Sequence, residues 1–325
     1  MGILTELADP PGRVLEDLAR LKTHLDESVP PKHLDRNLLV ATWNIQKFGN
    51  LTKKWAAGGG DSPKRDYHAL LLIREIVSRF DVVAVQEVMS NLRALRYMMK
   101  LLGPEWGFLM TDVNVGDKGN DERIAYVYDT RRVRPSGLAC ELVIPEEEEY
   151  IPANAFQRQF VRTPYAASFI SKDKTFILTS CHIYYGEKSE DRTGELRAIA
   201  RMMAGWARRE KEWGHNYILT GDFNIDRMGD PLYDAFVGTG LYVPEDLHNL
   251  PRTIFAREGA PDTEKFYDQL AWFKDAADVP QLTLEYVRGG YVNFVGLVMA
   301  GLSRRSLGFR LSDHFPLWAE FRVDR

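Results

Sequence analysis

Apolar side chains recur at helical spacing near the amino terminus of the chain. Val14, Leu18 and Leu21 lie three or four positions apart, which places their side chains on one face of a helix. We therefore expect a helix over Gly12–Leu25 that ends before Pro30, because proline cannot continue it. The same period predicts three more helices, over Asp66–Phe80, Asn91–Leu102 and Glu190–Trp213.

Short apolar runs rich in β-branched residues alternate with these helices and predict strands. The runs over Asn37–Ile45, Asp81–Val88 and Asn216–Ile225 are the most regular of them. Because strands outnumber helices and the helices fall mainly between strands, we predict an α/β chain with mixed sheets. The other predicted strands are Trp106–Thr111, Glu122–Tyr128, Gly137–Val143, Arg158–Ile170, Lys174–His182, Gln269–Phe273, Leu282–Val287 and Leu317–Val323.

The composition is that of an ordinary globular protein of 325 residues, of which 45% are hydrophobic and 27% charged. It excludes a disordered, collagen-like or disulfide-scaffold chain, and the length allows two domains. The 42 Lys and Arg against 46 Asp and Glu leave a net charge of −4. Bulk charge therefore does not favour the coating of nucleic acid, although a local basic groove is compatible with this balance.

Two further features bear on redox state and location. Cys140 and Cys181 are too few for a zinc site or a disulfide framework, so we expect two reduced, buried thiols. The first residues lack the basic segment, apolar core and cleavage site of a signal peptide. The apolar segment Tyr291–Leu302 is too short to span a bilayer. We therefore expect a cytoplasmic protein.

Polar or charged side chains stand at the ends of four predicted strands. They are Asn44, Glu87, His182, and Asp222 with Asn224. A single residue of this kind is often a satisfied cap or turn residue. Four strand ends together favour a cleft, because an unpaired buried charge is costly and α/β folds assemble their sites at the carboxyl ends of strands.

The last predicted strand follows the sequence LSDHFPLW, which places Asp313 beside His314. The carboxylate is a hard oxygen ligand, and the imidazole can carry a proton near neutral pH. Carboxylates and amides without cysteine suit Mg²⁺, Mn²⁺ or Ca²⁺. No P-loop, dinucleotide-binding glycine motif or serine-hydrolase motif is found. The set is typical of metal-assisted displacement at phosphorus.

Four motifs, TWNIQKFG, VVAVQEV, LTGDFNID and LSDHFPLW, occur in this order. Together they resemble the endonuclease/exonuclease/phosphatase superfamily over about Leu38 to Val323. The resemblance implies a four-layer α/β sandwich, with two packed, mainly antiparallel mixed sheets flanked by helices. It also implies two parts of the chain: a helical extension over residues 1–36 and a single catalytic domain over residues 37–325.

The resemblance implies a role for each motif residue. Glu87 would be the principal Mg²⁺ ligand, with Asn44 beside it and Asp313 near the same metal. Asp222 and Asn224 would orient or deprotonate water and bind phosphate. His314 would pair with an acidic residue, for which Asp268 in KFYDQLAW is the best candidate.

Three further segments resemble the DNase I branch of this superfamily. NDERIAYVYDTRRV and TSCHIYYG contain Glu122 and His182, which the resemblance makes a second acid–imidazole pair. A glutamate would orient the histidine and stabilise its charged form. RQFVRTPYAASF contains Arg162, which the resemblance makes a phosphate-contacting residue.

Arginines outside these motifs fall into two groups. Those of the fourth predicted helix, including Arg192 and Arg197, are expected to face water. Arg304, Arg305 and Arg310 precede the last motif and are better placed to contact substrate.

Three functions compete. The leading one is a Mg²⁺-dependent, DNase I-like nuclease that hydrolyses nucleic-acid phosphodiester bonds. The second is a phosphoesterase for a phospholipid or small phosphate ester, in which Tyr291–Leu302 would dock on a membrane, although core packing is the preferred interpretation of that segment. The third is a non-catalytic binding protein on the same fold. Nucleic acid is thus the expected partner and phospholipid an alternative. No obligate protein partner is implied, and the oligomeric state is left open.

Overall fold

The structure is a computed structural model, and it describes residues 5–114, 120–143, 160–188, 190–207, 216–260, 263–275, 277 and 280–324. The helices of these residues are α1 Gly12–Ser28, α2 Tyr67–Val77, α3 Arg93–Leu102, α4 Glu190–Ala207, α5 Pro231–Val237 and α6 Arg304–Gly308. The strands are β1 Asn37–Phe48, β2 Val82–Met89, β3 Trp106–Met110, β4 Glu122–Asp129, β5 Arg134–Glu141, β6 Tyr165–Ser171, β7 Lys174–His182, β8 Asn216–Asp222, β9 Leu241–Tyr242, β10 Asp268–Phe273, β11 Glu285–Tyr291 and β12 Leu317–Arg322.

Two six-stranded sheets form the centre of the fold. Their strand orders are β11-β12-β1-β2-β4-β3 and β5-β6-β7-β8-β10-β9. The pairs β1–β2 and β7–β8 are parallel, and the other pairs are antiparallel. The prediction of two mainly antiparallel mixed sheets with outer helices is therefore confirmed.

Alternation along β1 shows why the sheets and helices form layers. Leu38 and Val40 belong to the hydrophobic cluster shared with the second sheet. Leu39, Ala41 and Trp43 belong to the cluster shared with α1, α2 and α3. Successive side chains of a strand point to opposite faces, so one buried strand contributes to both cores. This explains a continuous apolar run with no polar face.

A buried polar contact ties the two sheets together near the ends of their parallel strands. The Gln86 amide in β2 donates to the Ser180 hydroxyl in β7 at 2.8 Å and to the Thr42 hydroxyl in β1 at 3.2 Å. All three side chains are buried. Since each buried donor needs a partner, this contact favours one relative placement of the sheets.

Helix α1 packs on the first sheet's outer layer. Leu21 and Leu25 are buried within the cluster that contains α2. Asp17 lies 3.1 Å from the His68 ring in α2 and accepts a hydrogen bond from the Met299 amide at 2.7 Å. The division of the chain at residue 36 stays a prediction.

Most predicted elements are confirmed, with shifted ends. The strand expected from Arg158 begins only at Tyr165, because Pro164 has no amide to donate to a neighbouring strand. The strand expected over Leu282–Val287 runs over Glu285–Tyr291, through Gly289 and Gly290. The start at Arg158 and the helix end at Trp213 lie outside the described residues. Helices α5 and α6 and strand β9 were not predicted, because elements this short show no period.

The apolar segment Tyr291–Leu302 lies largely within the core. Phe294 and Val298 are buried, and the Phe294 ring lies 6.2 Å from that of Trp43. Leu302 at its end is 40% exposed. The preferred packing interpretation is confirmed for the buried side chains, and a membrane-docking role would have to rely on the few exposed ones. None of the helices in the described ranges combines the length and apolarity needed to cross a bilayer.

The two cysteines are free thiols, as expected. Cys181 is buried in β7, whereas Cys140 in β5 is only half-buried. The expectation of two buried thiols is thus met at one position and wrong at the other, because β5 lies at the edge of its sheet.

Gly221 in β8 has a backbone conformation and surroundings that exclude a side chain. Its φ is +125°, and a Cβ atom would lie 2.1 Å from the Cys181 carbonyl oxygen in β7. This explains why glycine precedes the aspartate of the third motif: the two parallel strands come close just where Asp222 enters the site.

We expect Gly221→Ala to lower the free energy of unfolding by about 3 kcal/mol or more, from backbone strain plus overpacking. Urea unfolding followed by tryptophan fluorescence measures this. Gly205→Ala in α4 is the matched control, since a Cβ there meets no heavy atom within 4 Å. Alanine in a helix should leave that variant stable or add up to about 1 kcal/mol. Equal stabilities of the two variants would contradict the close-approach explanation.

Candidate active site

The polar residues at the strand ends come together at one end of the two sheets. His182 in β7, Asp222 in β8 and Asp268 in β10 are register partners on adjacent strands of the second sheet. In the first sheet Asn44 of β1 lies opposite Gln86 of β2. The Asn44 amide donates to Asp222 at 3.1 Å and so joins the two sheets. The structure thus brings the four predicted strand ends into one cleft.

Glu87 is held by polar contacts on both carboxylate oxygens. Oε1 accepts from the Asn44 amide at 3.0 Å, and Oε2 accepts from the Lys47 backbone amide at 2.8 Å. Glu87 and Lys47 have φ values of 58° and 47°. Left-handed backbone is unfavourable for such residues and concentrates at functional sites. The pairing register of β1 and β2 shifts here, which turns the Glu87 side chain into the cleft.

Glu122 and His182 form an acid–imidazole pair. His182 Nδ1 lies 2.8 Å from Glu122 Oε2, and Arg162 Nε lies 2.9 Å from the same oxygen. Burial alone would raise the pKa of Glu122, but the close His182 ring, together with the charge of Arg162, lowers it. The carboxylate is therefore ionised and fixes the orientation of the ring.

Arg162 lies beside this pair and is itself buried. Its Nη1 donates to the Ile183 carbonyl at 3.4 Å. The structure shows an arginine that holds Glu122, and its predicted contact with phosphate stays a prediction.

His314 and Asp268 form a second acid–imidazole pair. His314 Nδ1 lies 2.7 Å from Asp268 Oδ2, and Asp268 is 0% exposed. Burial alone would lower the pKa of His314, but Asp268, followed by Asp222, raises it well above its usual value. The Tyr267 ring stacks on the His314 ring at 5.8 Å between centroids, and Arg252 Nε donates to the Asp268 carbonyl at 2.7 Å.

Asp222 lies between the two imidazoles. Its Oδ2 is 3.7 Å from His182 Nε2 and 3.9 Å from His314 Nε2. Burial would raise the pKa of Asp222, but the charges of His314 and His182 lower it. Asn224 donates its backbone amide to Asp222 at 2.9 Å and its side-chain amide to the Ile183 carbonyl at 2.6 Å. Both acid–imidazole pairs therefore converge on one carboxylate.

A group of residues drawn from both sheets fits a divalent cation. Glu87, Glu122 and His182 each offer a ligand atom, and these atoms lie within 4.8 Å of one another. The buried Asn44 Oδ1 accepts no hydrogen bond from the described residues. Carboxylate and amide oxygens are the donors that Mg²⁺, Mn²⁺ and Ca²⁺ prefer.

The predicted ligand set and the observed grouping overlap only in part. Glu87 belongs to both, whereas Glu122 and His182 were predicted as catalytic residues. Asp313 is half-buried, and its Oδ2 accepts a hydrogen bond from the Gln46 amide at 3.1 Å. The role of Asp313 as a metal ligand stays a prediction.

The sequence did not indicate that Arg65 is a buried residue that joins two chain segments next to Glu87 and Asp313. Arg65 donates to the carbonyls of Gln46, Lys47, Arg310 and Leu311, and so ties the end of β1 to the loop that contains Asp313. Burial lowers its pKa to about 10, against the opposing effect of Glu87 and Asp313. No local pattern distinguishes a buried arginine in a polar loop from an exposed one.

The expectation that Arg192 faces water is wrong. The side chain is 3% exposed, donates to the Asn224 carbonyl, and lies 3.0 Å from an Asp226 carboxylate oxygen. Arg192 lies in the first turn of α4, before the apolar residues that repeat at helical spacing. The spacing therefore does not predict whether its side chain is exposed. Arg192 supports the third motif from behind, while Arg197 is exposed as expected.

Two of the arginines before the last motif have structural partners. Arg310 pairs with Asp66 at 2.5 Å, and Arg304 donates to the carbonyls of Ile254 and Ala256. Arg305 is exposed. Arg304 also lines a cavity of about 800 Å³ beside the cleft, together with Asp226, Arg227, Lys265, Tyr291 and Phe315. The described lining of this cavity contains none of the strand-end residues, so the cavity does not enclose them.

The chain matches a model of a known protein family over most of its length. A model of the Endonuclease/Exonuclease/phosphatase family matches residues 41–314. A protein of Thioalkalivibrio sp. (strain K90mix) named Deoxyribonuclease is 30% identical over 194 residues, which are 58% of this chain. The match covers 46% of that relative, so the chain corresponds to about half of its length.

Solved structures agree on the fold. An endonuclease/exonuclease/phosphatase family protein of Bacteroides thetaiotaomicron has a TM-score of 0.58 at 21% identity, over 89% of this chain and 98% of its own. A mannosyl-6-phosphatase of the same organism has a TM-score of 0.58 at 20% identity, over 87% of this chain and 99% of its own. At these identities the likeness concerns the fold.

Proposed function

Because the chain belongs to the endonuclease/exonuclease/phosphatase family, whose members hydrolyse phosphate esters, we propose that it is a Mg²⁺-dependent phosphodiesterase acting on nucleic acid. One observation carries the proposal: two imidazoles, each held by its own carboxylate, converge on Asp222 at 3.7 and 3.9 Å. A phosphodiester needs one group that handles the proton of water and one that returns a proton to the leaving oxygen. The relative named Deoxyribonuclease supports nucleic acid as the substrate.

The cation would be held by Glu87 and Asn44, with Asp313, Glu122 and His182 nearby. When bound, it would supply positive charge to the phosphoryl oxygens and the departing oxygen. The Asn44 amide donates to both Glu87 and Asp222. It thereby fixes the distance between Glu87, which would hold the cation, and Asp222, which would orient the water.

Different residues of the chain accept and donate the protons of the reaction. Asp222 orients the attacking water and, with an adjacent imidazole, accepts its proton as the oxygen–phosphorus bond forms. The other imidazole donates a proton to the leaving oxygen as its bond to phosphorus breaks. Glu122 orients the His182 ring, and Asp268 raises the pKa of His314, so the His314 ring can carry a proton at neutral pH. Asn224 and Arg162 would contact the phosphate.

Chelation and a substrate panel test this proposal together. We expect nicking of plasmid DNA and cleavage of single-stranded DNA with Mg²⁺, and loss of both with EDTA, because the carboxylates would then face the phosphate without a counter-charge. The panel also includes RNA, bis(p-nitrophenyl) phosphate, phosphatidylinositol phosphates and sphingomyelin. Hydrolysis of lipid or small monoesters with no cleavage of nucleic acid would contradict the substrate assignment.

A phosphoesterase for a small phosphate ester is the second candidate. The structural likeness to a mannosyl-6-phosphatase favours it. The lipid version is weaker, because Phe294 and Val298, which would have to insert into a membrane, are buried in the core. A non-catalytic protein is the third candidate. It is disfavoured because two acid–imidazole pairs around a buried carboxylate serve no requirement of folding.

A further inference from the structure

Helix α3 presents a row of basic side chains to solvent. Arg93, Arg96 and Lys100 are spaced by three and four residues, so they share one helix face, and all three are exposed. Like charges at this spacing destabilise an isolated helix by about 0.2–0.5 kcal/mol per pair. The charges of the row are therefore not favoured by the helix itself, although Arg93 donates to Asn50 Oδ1 at 2.7 Å, and the chain as a whole is acidic, with a net charge of −4.

The basic row borders a groove with an aromatic floor. The groove has a volume of about 790 Å³ and is lined by the three basic residues together with Tyr97, Trp106 and Phe108. Phe108 is 38% exposed in β3. Among the described residues that line the groove there is no Asp or Glu. We call this feature the α3 groove.

One acidic group beside Tyr97 is already engaged. Glu6, which precedes α1, accepts a hydrogen bond from the Tyr97 hydroxyl at 3.3 Å. It also accepts one from the Tyr67 hydroxyl and forms an ion pair with Lys53. The charged side chains among the described lining residues are all cationic. Exposed cations next to an aromatic ring are the pattern with which proteins hold nucleic-acid strands.

The α3 groove lies close to the catalytic cleft. The first lining residue in sequence order is Ser90, three residues after Glu87 of β2. The chain from Glu87 to Arg93 can span at most about 20 Å. Along one strand of duplex DNA, phosphates are spaced about 3.4 Å apart along the axis. A strand whose scissile phosphate lies at Glu87 would thus reach the groove within about six nucleotides.

We propose that the α3 groove is an anchoring site for a nucleic-acid strand that extends from the catalytic cleft. Arg93, Arg96 and Lys100 bind successive phosphates, and Phe108 stacks on a base. The inference rests on the proposed function and names a second contact region for its substrate. It also explains how an acidic protein binds a polyanion, because the favourable charge is confined to one helix face.

Binding without turnover tests the anchoring site. Fluorescence anisotropy with a single-stranded DNA of about 30 nucleotides, in EDTA, is compared for wild type and Arg96→Glu/Lys100→Glu. We expect about tenfold weaker binding or more, and a plot of log K against log salt that is shallower by about 1.4, since two phosphate contacts are lost at about 0.7 each. The DNA affinity of the neutral variant Arg96→Gln/Lys100→Gln should lie between those of wild type and Arg96→Glu/Lys100→Glu.

The matched control carries the same charge change elsewhere. Arg134 and Lys172 are exposed at the opposite end of the second sheet from His182. Arg134→Glu/Lys172→Glu should bind like wild type. All variants should hydrolyse bis(p-nitrophenyl) phosphate with Mg²⁺ at the wild-type rate, because that diester is too small to reach the groove. Circular dichroism melting verifies that each variant is folded.

The outcomes separate the two proposals. Wild-type affinity and salt slope in Arg96→Glu/Lys100→Glu would overturn the anchoring site alone, as would an equal loss in the control variant. Binding of phosphatidylserine vesicles in place of DNA, lost in the groove variant, would overturn it in favour of an anionic lipid surface. A wild type that neither binds nor cleaves nucleic acid would overturn the proposed substrate, and the anchoring site with it.

Discussion

Replacing Glu87 by Gln is expected to reduce phosphodiester hydrolysis at least about 1000-fold while the protein stays folded. The substitution keeps the shape of the side chain and one of the two hydrogen bonds that Glu87 accepts from Asn44 and Lys47, since the amide nitrogen of glutamine cannot accept. It removes one of the two carboxylate charges from the group that Glu87 forms with Glu122 and His182. A bound cation supplies several kcal/mol of transition-state stabilisation, and about 4 kcal/mol corresponds to that factor.

Two measurements check this result independently of each other. One is the rate of plasmid nicking and of bis(p-nitrophenyl) phosphate hydrolysis. The other is the melting temperature during a Mg²⁺ titration, since a ligand present at 100 times its Kd adds about 2.7 kcal/mol of stability. Glu87→Gln should lose both the rate and the Mg²⁺-dependent rise in melting temperature. Glu16→Gln, on the exposed face of α1, should lose neither. A Glu87→Gln protein with normal rate and normal Mg²⁺ response would place the cation elsewhere.

Replacing Asp268 by Asn is expected to reduce kcat by about 10²–10⁴-fold. Asp268 is fully buried and lies 2.7 Å from His314 Nδ1, where its charge raises the pKa of the imidazole and fixes the ring. Asparagine keeps the volume but removes the charge, so His314 loses its proton more readily and its orientation is no longer fixed. Losses of this size are typical when the carboxylate partner of a catalytic histidine is removed.

A double-mutant cycle shows whether the two residues act as one unit. Asp268→Asn, His314→Ala and the double variant should have similar residual rates, because each removes the same unit. Urea unfolding is measured in parallel, since breaking a buried charge pair can cost about 3–5 kcal/mol of stability. Glu122→Gln and His182→Ala form the corresponding cycle for the other pair. Multiplicative losses in the Asp268 cycle, with all variants folded, would show that Asp268 acts independently of His314.

The elements of the fold followed closely from local patterns. The β-branched run of β2 and the helical spacing of α2 predicted their elements within a few residues. The wrong boundaries have local causes of another kind. Pro164 delays β6, and the glycines of β11 resemble a turn but lie against Trp318, where a Cβ at Gly290 would be 2.5 Å from the ring.

The candidate site was predicted from its motifs, but its supporting residues were not. Nothing in the sequence around Arg65, Arg192 or Gln86 shows that these side chains are buried. Each is polar, and polar side chains are usually exposed. They are buried here because other chain segments supply carbonyl, hydroxyl or carboxylate partners, and those partners are distant in sequence.

The sequence by itself determined the α/β class, most strands and helices, and the identity of the polar residues at the strand ends. It could do so because periodicity and motif spacing are short-range properties of the chain. The resemblance implied the pairs Glu122–His182 and Asp268–His314, and only the tertiary structure decided the distances within them and the convergence of both imidazoles on Asp222. These distances depend on strand order and register across two sheets. They also depend on left-handed backbone at Glu87 and on the close approach of β7 to Gly221, none of which a local pattern records.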